Sequence, residues 1–406
     1  MPYLNFVAGF VVVSHFPSFS GCPLTRIFSP THFSPDDDHE VYFHCIARPH
    51  PRRVGLTSTL LLNGMGYQPH GDGEVSISIE SFAHLGEPKS MGPLTHLLNE
   101  TLHKLHVDVD HIGDHMATAV ERLRLFAAVG IPLDKLELTI NGCEKKTVSL
   151  PRTGFTNLGI VQASVSVGKC PSALLTAKTH NSETATIYSS PPTGLGVISD
   201  IDDTIKITDV LDPDKMIENT MYKDPVPVAG MPVLYASLAK SLTTQSIPPQ
   251  FIYLSGSPFE LFPFLSSFLK SQFSASLGPL LLQSLSITNP AEIFKSLGDG
   301  KSGQGKIDYK VGQIKRINGY YPQKSFLTIG DSGEKDPEVY GKAYNEFGGK
   351  FIRCIWIHLI DDKKADNSDE RFEAAFKGVP EDRIRKFHTS EIPSLSKIDV
   401  AGGKCN

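Results

Sequence analysis

The sequence predicts an α/β protein in which a β-rich, sandwich-like domain with helical additions precedes a doubly wound parallel sheet. Short runs in the first half, such as residues 75–81, alternate apolar and polar side chains, which is typical of strands with one buried face. Four runs in the second half, residues 196–201, 251–255, 326–330 and 351–357, are largely apolar and are separated by helical stretches. This pattern indicates strands buried on both faces of a parallel sheet. The pattern changes at segment 189–196, which is rich in Pro, Gly and Ser.

These patterns divide the chain into an uncertain N-terminal segment, a β-rich domain, a parallel-sheet domain and a tail, over residues 1–35, 36–194, 195–390 and 391–406. The apolar run 6–13 has no preceding Lys or Arg, so a buried strand or a frayed terminus explains it better than a signal peptide does. Apolar residues at helical spacing between Met116 and Phe126 predict one helix inside the β-rich domain.

The composition argues against several classes of protein. The chain is 40% hydrophobic and 20% charged, and its formal charge of −5 without a basic stripe predicts no nucleic-acid partner. No apolar run reaches the roughly 18–20 residues that cross a bilayer, so we expect no transmembrane segment and a lipid substrate met from outside the membrane. Six scattered cysteines without a CxxC pair predict neither a zinc ribbon nor a disulfide framework, and favour a reducing, cytoplasmic compartment.

Two aspartates follow the first apolar run of the second half. Active sites of parallel sheets form at the carboxyl ends of strands, and this run leads directly into Asp200 and Asp202. Residues two apart on an extended chain face the same way, so the two carboxylates are expected to converge. One would attack phosphorus and the other would hold a proton for the leaving group, while a hard cation such as Mg²⁺ offsets their repulsion of a phosphate.

The second apolar run ends in Ser255 and Gly256. The serine offers a hydroxyl donor, and the glycine lets a ligand approach the backbone closely. Ser257, Pro258 and Glu260 are expected to serve as N-cap, first-turn proline and capping-box glutamate of a helix. Its N-terminus would favour an anion in the site.

The remaining candidates lie between residues 306 and 336. A helix is predicted over 306–319, and Lys310 would neutralise a phosphate or the nucleophile, with Lys306 one turn earlier as the alternative. Asp331 follows the third apolar run and is a candidate metal ligand. Asp336 either holds a metal-bound water or caps the next helix.

The order of these pieces resembles that of the haloacid dehalogenase superfamily of phosphotransferases, with DxDxT, a strand-terminal Ser, a helical Lys and GDxxxxD. The longer strings GVISDIDDTIKITDV, YLSGSPFEL, GPLLL and IGDSGEKDPEVY resemble the catalytic domain of the fungal actin-patch-associated phosphatidate phosphatase family over most of residues 190–360. The resemblance implies a haloacid dehalogenase-like sheet and Mg²⁺-dependent hydrolysis of phosphatidate to diacylglycerol through an aspartyl-phosphate. It also implies contact with a membrane surface, cortical actin patches as a location, and cytoskeletal or endocytic protein partners.

The same resemblance implies a role for each candidate residue. Asp200 would be the nucleophile and Asp202 the general acid and base, and Ser255, Gly256 and Lys310 would bind the phosphoryl group. Mg²⁺ would be held, directly or through water, by Asp200, the Asp202 backbone, Asp331 and Asp336. Gly256 departs from the family pattern, because many relatives carry a polar residue there.

Two other functions stay open. The chain between Thr204 and Ser255 is too short for a large cap domain, so the open site suits a bulky head group at a membrane surface better than a small metabolite. Uncapped enzymes of this kind also dephosphorylate proteins, so a phosphoprotein or a soluble phosphomonoester is the alternative substrate. A non-catalytic adaptor or cytoskeletal scaffold, in which the β-rich half binds the partner, is the third hypothesis.

Three further patterns have ordinary structural explanations. Segment 300–307 resembles a nucleotide-binding loop, but Ile307 stands where Ser or Thr would bind the metal. His111 and His115 are one helical turn apart without a second ligand pair of fixed spacing. The phenylalanine-rich stretch 259–273 is interpreted as a helix packed in the core rather than a membrane contact.

Overall fold

The computed structural model describes residues 57–69, 73–85, 91–104, 112–132, 135–152, 159–284 and 303–406, together with four short strands before residue 57. The chain divides into two compact units, Met1–Thr57 and Ser58–Asn406. The first unit contains a four-stranded antiparallel sheet in the order β1-β2-β3-β4. Its strands are β1 (Asn5–Val7), β2 (Phe10–Val13), β3 (Leu24–Phe28) and β4 (Phe43–Cys45).

The β-rich part of the chain is one eight-stranded sheet in the described residues, in the order β10-β7-β6-β12-β11-β8-β9 with β5 beside β7. Its elements are β5 (Thr57–Leu61), β6 (Gly64–Tyr67), β7 (Glu74–Leu85), α1 (Met91–Lys104), α2 (Met116–Leu123), β8 (Leu136–Asn141), β9 (Thr147–Leu150), β10 (Ile160–Lys169), β11 (Leu174–Thr179) and β12 (Thr184–Ser189). The predicted alternation is confirmed, since Val75, Ile77 and Ile79 of β7 are all buried. Strands β5 to β12 form one sheet around one core. A sandwich would have two facing sheets.

A six-stranded, wholly parallel sheet follows, in the order β15-β14-β13-β16-β17-β18. Its elements in chain order are β13 (Leu195–Ser199), α3 (Pro213–Met221), α4 (Met231–Ser241), β14 (Gln250–Pro258), α5 (Phe262–Gln272), β15 (Leu280–Gln283), α6 (Gly303–Tyr320), β16 (Ser325–Asp331), α7 (Asp336–Phe347), β17 (Ile352–His358), α8 (Asp369–Ala375), β18 (Ile384–Phe387) and α9 (Ile392–Leu395). The chain adds β14 and β15 on one side of β13 and the later strands on the other. Ligands of such sheets bind where the strand order reverses, at the carboxyl ends of β13 and β16.

Helices cover both faces of this sheet, so the predicted mixed α/β fold with a parallel sheet is confirmed. The predicted stripe Val311, Ile314 and Ile317 of α6 is buried against one face, in a cluster that includes residues of α7. Helices α4, α5 and α9 contribute to the cluster on the other face. Each fully buried aliphatic side chain of this kind stabilises the fold by roughly 1.5–3 kcal/mol.

The β-rich sheet and the parallel sheet belong to the same compact unit and pack on each other. Arg122 of α2 donates to the Thr220 carbonyl at 2.9 Å and to the Lys223 carbonyl at 2.8 Å. The Tyr321 hydroxyl, just after α6, donates to the Gly66 carbonyl of β6 at 2.7 Å. No helix in the described parts of the chain is both long and apolar enough to cross a membrane.

The cysteines correct the expectation from the sequence. Cys143 is bonded to Cys170 in the β-rich sheet, and Cys354 of β17 is bonded to Cys405. The second disulfide and a 2.8 Å hydrogen bond from the Trp356 indole to the Cys405 carbonyl attach the last residues to the parallel sheet. The prediction that the cysteines form no disulfides is therefore wrong. The positions of the cysteines no longer favour a reducing compartment. Spacing could not reveal these pairs, which lie 27 and 51 residues apart in sequence.

Candidate active site

Asp200 lies at the carboxyl end of β13, in the centre of the parallel sheet. Its backbone N–H donates to the Ile329 carbonyl of β16 at 2.9 Å, which continues the sheet pairing and fixes the direction of the side chain. The carboxylate is fully buried, and its Oδ1 accepts a hydrogen bond from Lys310 at 2.8 Å. Its Oδ2 is buried without a hydrogen-bond partner among the described residues. This oxygen is free to meet a cation or a substrate.

Lys310 of α6 connects two of the predicted carboxylates. Its Nζ lies 2.8 Å from Asp200 Oδ1 and 2.5 Å from Asp336 Oδ1, and the side chain is 2% exposed. Burial alone would lower the pKa of Lys310, but these two carboxylates outweigh burial and raise it well above its usual value. Lys306 instead pairs with Glu334 at 2.6 Å. The structure thus places Lys310, and not Lys306, beside Asp200.

Asp202 is surrounded by donors. Its Oδ2 accepts from the hydroxyls of Ser255 and Ser257, each at 2.9 Å, and its Oδ1 accepts from Thr208 at 2.7 Å. Lys206 lies 3.3 Å from the same Oδ1. Burial would raise the pKa of Asp202, but Lys206 and the three hydroxyls outweigh it and hold the pKa below its usual value. The carboxylate is therefore ionised in this arrangement.

The segment 255–257 leaves the regular ladder of β14. The pairing of β14 with β15 is interrupted between Leu254 and Pro258, as in a β-bulge. A side chain added at Gly256 would meet no atom within 4 Å, so open space lies next to this backbone. The Ser255 hydroxyl accepts from the Ser257 N–H at 2.9 Å while it donates to Asp202.

The predicted capping box at this point is wrong. Strand β14 continues through Pro258, and the short 3₁₀ turn Phe259–Leu261 that follows has no side-chain cap. Ser257 turns towards Asp202 instead of capping a helix, and Glu260 Oε2 is buried without a partner among the described residues. The sequence pattern of a cap was present, but the long-range contact to Asp202 determines where the Ser257 hydroxyl points.

Asp331 and Asp336 lie at the end of β16 and the start of α7. Asp331 Oδ1 accepts from the backbone of Gly333 at 2.6 Å and of Glu334 at 3.0 Å, which leaves Oδ2 with a long contact of 3.5 Å to Thr204. Asp336 Oδ2 accepts from the Asp331 N–H at 3.3 Å. The Asp336 side chain therefore points at Lys310 and Asp331, and the N-cap of α7 is Lys335.

Three carboxylates come close enough to share one cation. Ligand oxygens of Asp200, Asp331 and Glu334 lie within 4.8 Å of one another. Burial raises the pKa values of Asp200 and Asp331 well above the usual value of an aspartate, and neighbouring carboxylates raise both pKa values further. Lys310 opposes this rise at Asp200. A cation at this point would relieve the repulsion. Glu334 is a candidate ligand that the sequence reasoning missed, although it stands inside the GDxxxxD segment.

The loop after Asp202 is fixed by a residue that was also missed. The Asp203 carboxylate accepts three backbone hydrogen bonds, each of 2.7 Å, from Thr208, Asp209 and Val210. Asp203 itself has a φ of 57°, in the left-handed region that Asp tolerates better than most residues. Lys206 and Thr208 reach Asp202 from this loop. The string DIDDTIKIT contains these residues, but only their contacts show which ones face the site.

Of the other sequence patterns, segment 300–307 reaches these carboxylates through Lys306, which pairs with Glu334. Residues 300–302 and His111 lie outside the described residues, while residues 303–307 form the start of α6. The ring of His115 packs near Tyr222, with centroids 6.2 Å apart. The phenylalanines of stretch 259–273 belong mainly to the buried cluster, which confirms their interpretation as core residues.

Two aspartates at a strand end, a buried lysine and a bulged segment with two serines meet at the carboxyl edge of the parallel sheet. This combination is typical of enzymes that transfer phosphoryl groups. Residues 195–359 match the family described as "Phosphatidate phosphatase APP1, catalytic domain". The resemblance read from the motifs is confirmed for this part of the chain.

One relative shows the extent of the similarity. The phosphatidate phosphatase APP1 of Saccharomyces cerevisiae (strain ATCC 204508 / S288c) is 31% identical over 188 residues, which cover 46% of this chain and 29% of the yeast protein. The matched region therefore spans less than a third of the length of that relative.

Proposed function

We propose that the chain is a Mg²⁺-dependent phosphatidate phosphatase with a haloacid dehalogenase-like catalytic domain, working through Asp200. The observation that carries the proposal is the free Oδ2 of Asp200, buried at the strand end next to Lys310 and within reach of two more carboxylates. The matched family and the yeast relative support phosphatidate as the substrate.

In the first step, the Asp200 carboxylate attacks phosphorus as the bond from phosphorus to the glycerol oxygen breaks. The phosphoryl group is then carried on Asp200 as an acyl phosphate, and Asp202 gives a proton to the departing diacylglycerol oxygen. In the second step, Asp202 takes a proton from the water that attacks the acyl phosphate. Inorganic phosphate leaves, and both aspartates return to their starting state.

The ionised state of Asp202 fits the second step directly. For the first step Asp202 must hold a proton, and the negative charge of an approaching phosphate raises the pKa of a neighbouring carboxylate. Protonation would also weaken the hydrogen bond that Asp202 accepts from Ser255. The serine hydroxyl could then turn to the phosphoryl oxygens beside Gly256. Binding of the phosphate and protonation of Asp202 are thus coupled.

The charges of the site fit a divalent cation. Five buried or nearly buried carboxylates face three lysines, an excess of two negative charges; the residues are Asp200, Asp202, Asp331, Glu334, Asp336, Lys206, Lys306 and Lys310. Asp203 is left out of this count because its carboxylate accepts three hydrogen bonds from its own loop and contacts none of these lysines in the described residues. Oxygen donors are the ligands that Mg²⁺ prefers, and Asp200, Asp331 and Glu334 would hold it. When bound, Mg²⁺ would polarise the phosphoryl group and screen it from the carboxylates.

The test is phosphate release from vesicles that contain phosphatidate, with Mg²⁺ or with EDTA. Asp200→Asn is expected to abolish release, and EDTA is expected to stop the wild type. Asp308→Asn, on the exposed side of α6, is the matched control and should behave as wild type. Equal rates for Asp200→Asn and wild type would reject the nucleophile. Release only from a phosphopeptide or a soluble phosphomonoester would favour the alternative substrate classes.

A further inference from the structure

Two exposed apolar side chains lie side by side next to the loop that holds Asp202. The Ile207 N–H donates to the Val226 carbonyl, and the Val228 N–H donates to the Ile205 carbonyl, both at 2.9 Å. Lys206 and Pro227 face each other in an antiparallel bridge. Residues 205–207 and 226–228 thus form a short two-stranded ribbon, called here the rim ribbon.

The two faces of the rim ribbon differ in character. Lys206 is 1% exposed and its Nζ lies 3.3 Å from Asp202. Side chains alternate along a strand, so Ile207 points to the opposite side, and Val226 stands across from it on that same side. Ile207 is 38% exposed and Val226 is 52% exposed. Lys206 thus contacts Asp202 from one face of the ribbon. The other face is buried at Ile205 and Val228, and only its end at Ile207 and Val226 presents an apolar pair to solvent.

The rim ribbon is held in place without help from a ligand. The Asp203 carboxylate fixes the backbone from Thr208 to Val210, and the Asn219 side chain donates to Asp209 at 2.9 Å. The apolar pair is thus preorganised at the site edge, and a surface that binds it needs no rearrangement of the loop.

We propose that the exposed pair Ile207 and Val226 at the end of the rim ribbon docks on the surface of a glycerolipid bilayer beside the catalytic site. This inference rests on the proposed function, whose substrate keeps its acyl chains in the bilayer while its phosphate reaches Asp200. Two side chains are too small for a stable protein interface, which buries roughly 1,200–2,000 Å². Binding to the boundary between head groups and acyl chains scales with the apolar area buried there, so the pair contributes a weak and reversible contact. The charges next to the pair are mixed, with Lys223 and Asp224 both exposed, so the contact is mainly apolar and depends little on salt.

The experiment compares one enzyme on two forms of its substrate. The rate on phosphatidylcholine vesicles that contain long-chain phosphatidate is divided by the rate on short-chain phosphatidate dissolved as monomers. The double variant Ile207→Thr, Val226→Thr keeps strand-favouring residues and removes most of the apolar surface. Its ratio is expected to fall about fivefold or more, by the loss of burial of two aliphatic side chains. Leu174→Thr, on a 61% exposed residue of β11, is the matched control and should leave the ratio unchanged.

A second variant reports docking independently of turnover. Trp356, the one tryptophan of the chain, is fully buried, so Val226→Trp introduces the exposed indole that can respond to vesicles. Its emission is expected to shift to shorter wavelength when vesicles are added, because indoles favour the bilayer interface. An unchanged activity ratio or the absence of an emission shift would each overturn the docking proposal. If the double variant is inactive on both substrates, the emission shift decides. An emission shift in a protein that hydrolyses neither substrate would instead support docking and reject the proposed function.

Discussion

The substitution Gly330→Ala adds one methyl group and tests the geometry of the site. A Cβ at this position would lie 2.3 Å from Asp336 Oδ2 and 2.6 Å from Asp336 Cβ. Asp336 must then move by about 1 Å to restore van der Waals contact in this closely packed region. It cannot move alone, because Lys310 is 2.5 Å from its Oδ1 and 2.8 Å from Asp200. Gly330→Ala therefore displaces the lysine that pairs with Asp200, the proposed nucleophile.

Two magnitudes follow from this displacement. Overpacking of a buried position destabilises a protein by roughly 1–3 kcal/mol, so the free energy of unfolding in urea should fall by that amount. A shift of about 1 Å in a catalytic group lowers the rate roughly a hundredfold, so kcat on dissolved short-chain phosphatidate should fall by about that factor. Both measurements use the same purified variant.

Gly312→Ala in α6 is the matched control. A Cβ there meets no atom within 4 Å, so this variant should keep the wild-type kcat and gain up to about 1 kcal/mol of helix stability. Wild-type kcat in a folded Gly330→Ala protein would refute the reasoning, because Asp336 would then not determine where Lys310 stands.

Four other predictions follow from the same contacts. Lys310→Met leaves two buried carboxylates without their cation and should lower the free energy of unfolding without Mg²⁺ by roughly 3–5 kcal/mol, a deficit that must shrink when Mg²⁺ is added. Glu334→Gln should reduce the rise in melting temperature caused by Mg²⁺, whereas Asp336→Asn should keep most of that rise and lose kcat; the reverse result would exchange their roles. Burial raises the pKa of Glu260 to about 7, above its unfolded value, so the folded state loses stability as pH rises from about 4.5 to 7. Glu260→Gln should remove that loss. Urea titrations should give the variant a free energy of unfolding roughly 1–3 kcal/mol above that of the wild type near pH 8, and an equal value near pH 4. Non-reducing peptide mapping should recover the two disulfide-linked peptide pairs described above, and free thiols at those four cysteines would contradict the structure.

The fold was predictable where burial leaves a regular pattern in the sequence. Largely apolar runs identified β13, β14, β16 and β17, because strands that are covered on both faces carry apolar side chains on both faces. The stripe of α6 was equally clear. The architecture of the β-rich part was harder to predict. Alternation shows that each strand has one buried face, but it does not show whether the strands belong to one sheet or to two.

The carboxylates of the site were predictable as candidates, but their partners were not. Position after a strand indicates which side chains reach the active edge of a sheet, and this singled out Asp200, Asp202 and Asp331. The surroundings of Asp202 depend on chain segments about 50 residues away, as the contacts of Ser255 and Ser257 show. A local capping pattern was misleading at Ser257 because its hydroxyl donates a charge-assisted hydrogen bond to the buried Asp202 carboxylate and does not accept one from helix N–H groups.

Asp336 shows how geometry separates two roles that the motif leaves equal. A helix cap would direct its carboxylate to the backbone of α7, and a cation ligand would direct it to the oxygens of Asp200 and Asp331. One oxygen instead accepts from Lys310 and the other from the Asp331 N–H, so both are engaged. Gly330 is required because that carboxylate packs on its backbone. Asp336 therefore holds the lysine and the neighbouring aspartate in place. Glu334 has an oxygen within 4.8 Å of oxygens of Asp200 and Asp331, which makes it the candidate third ligand for a cation.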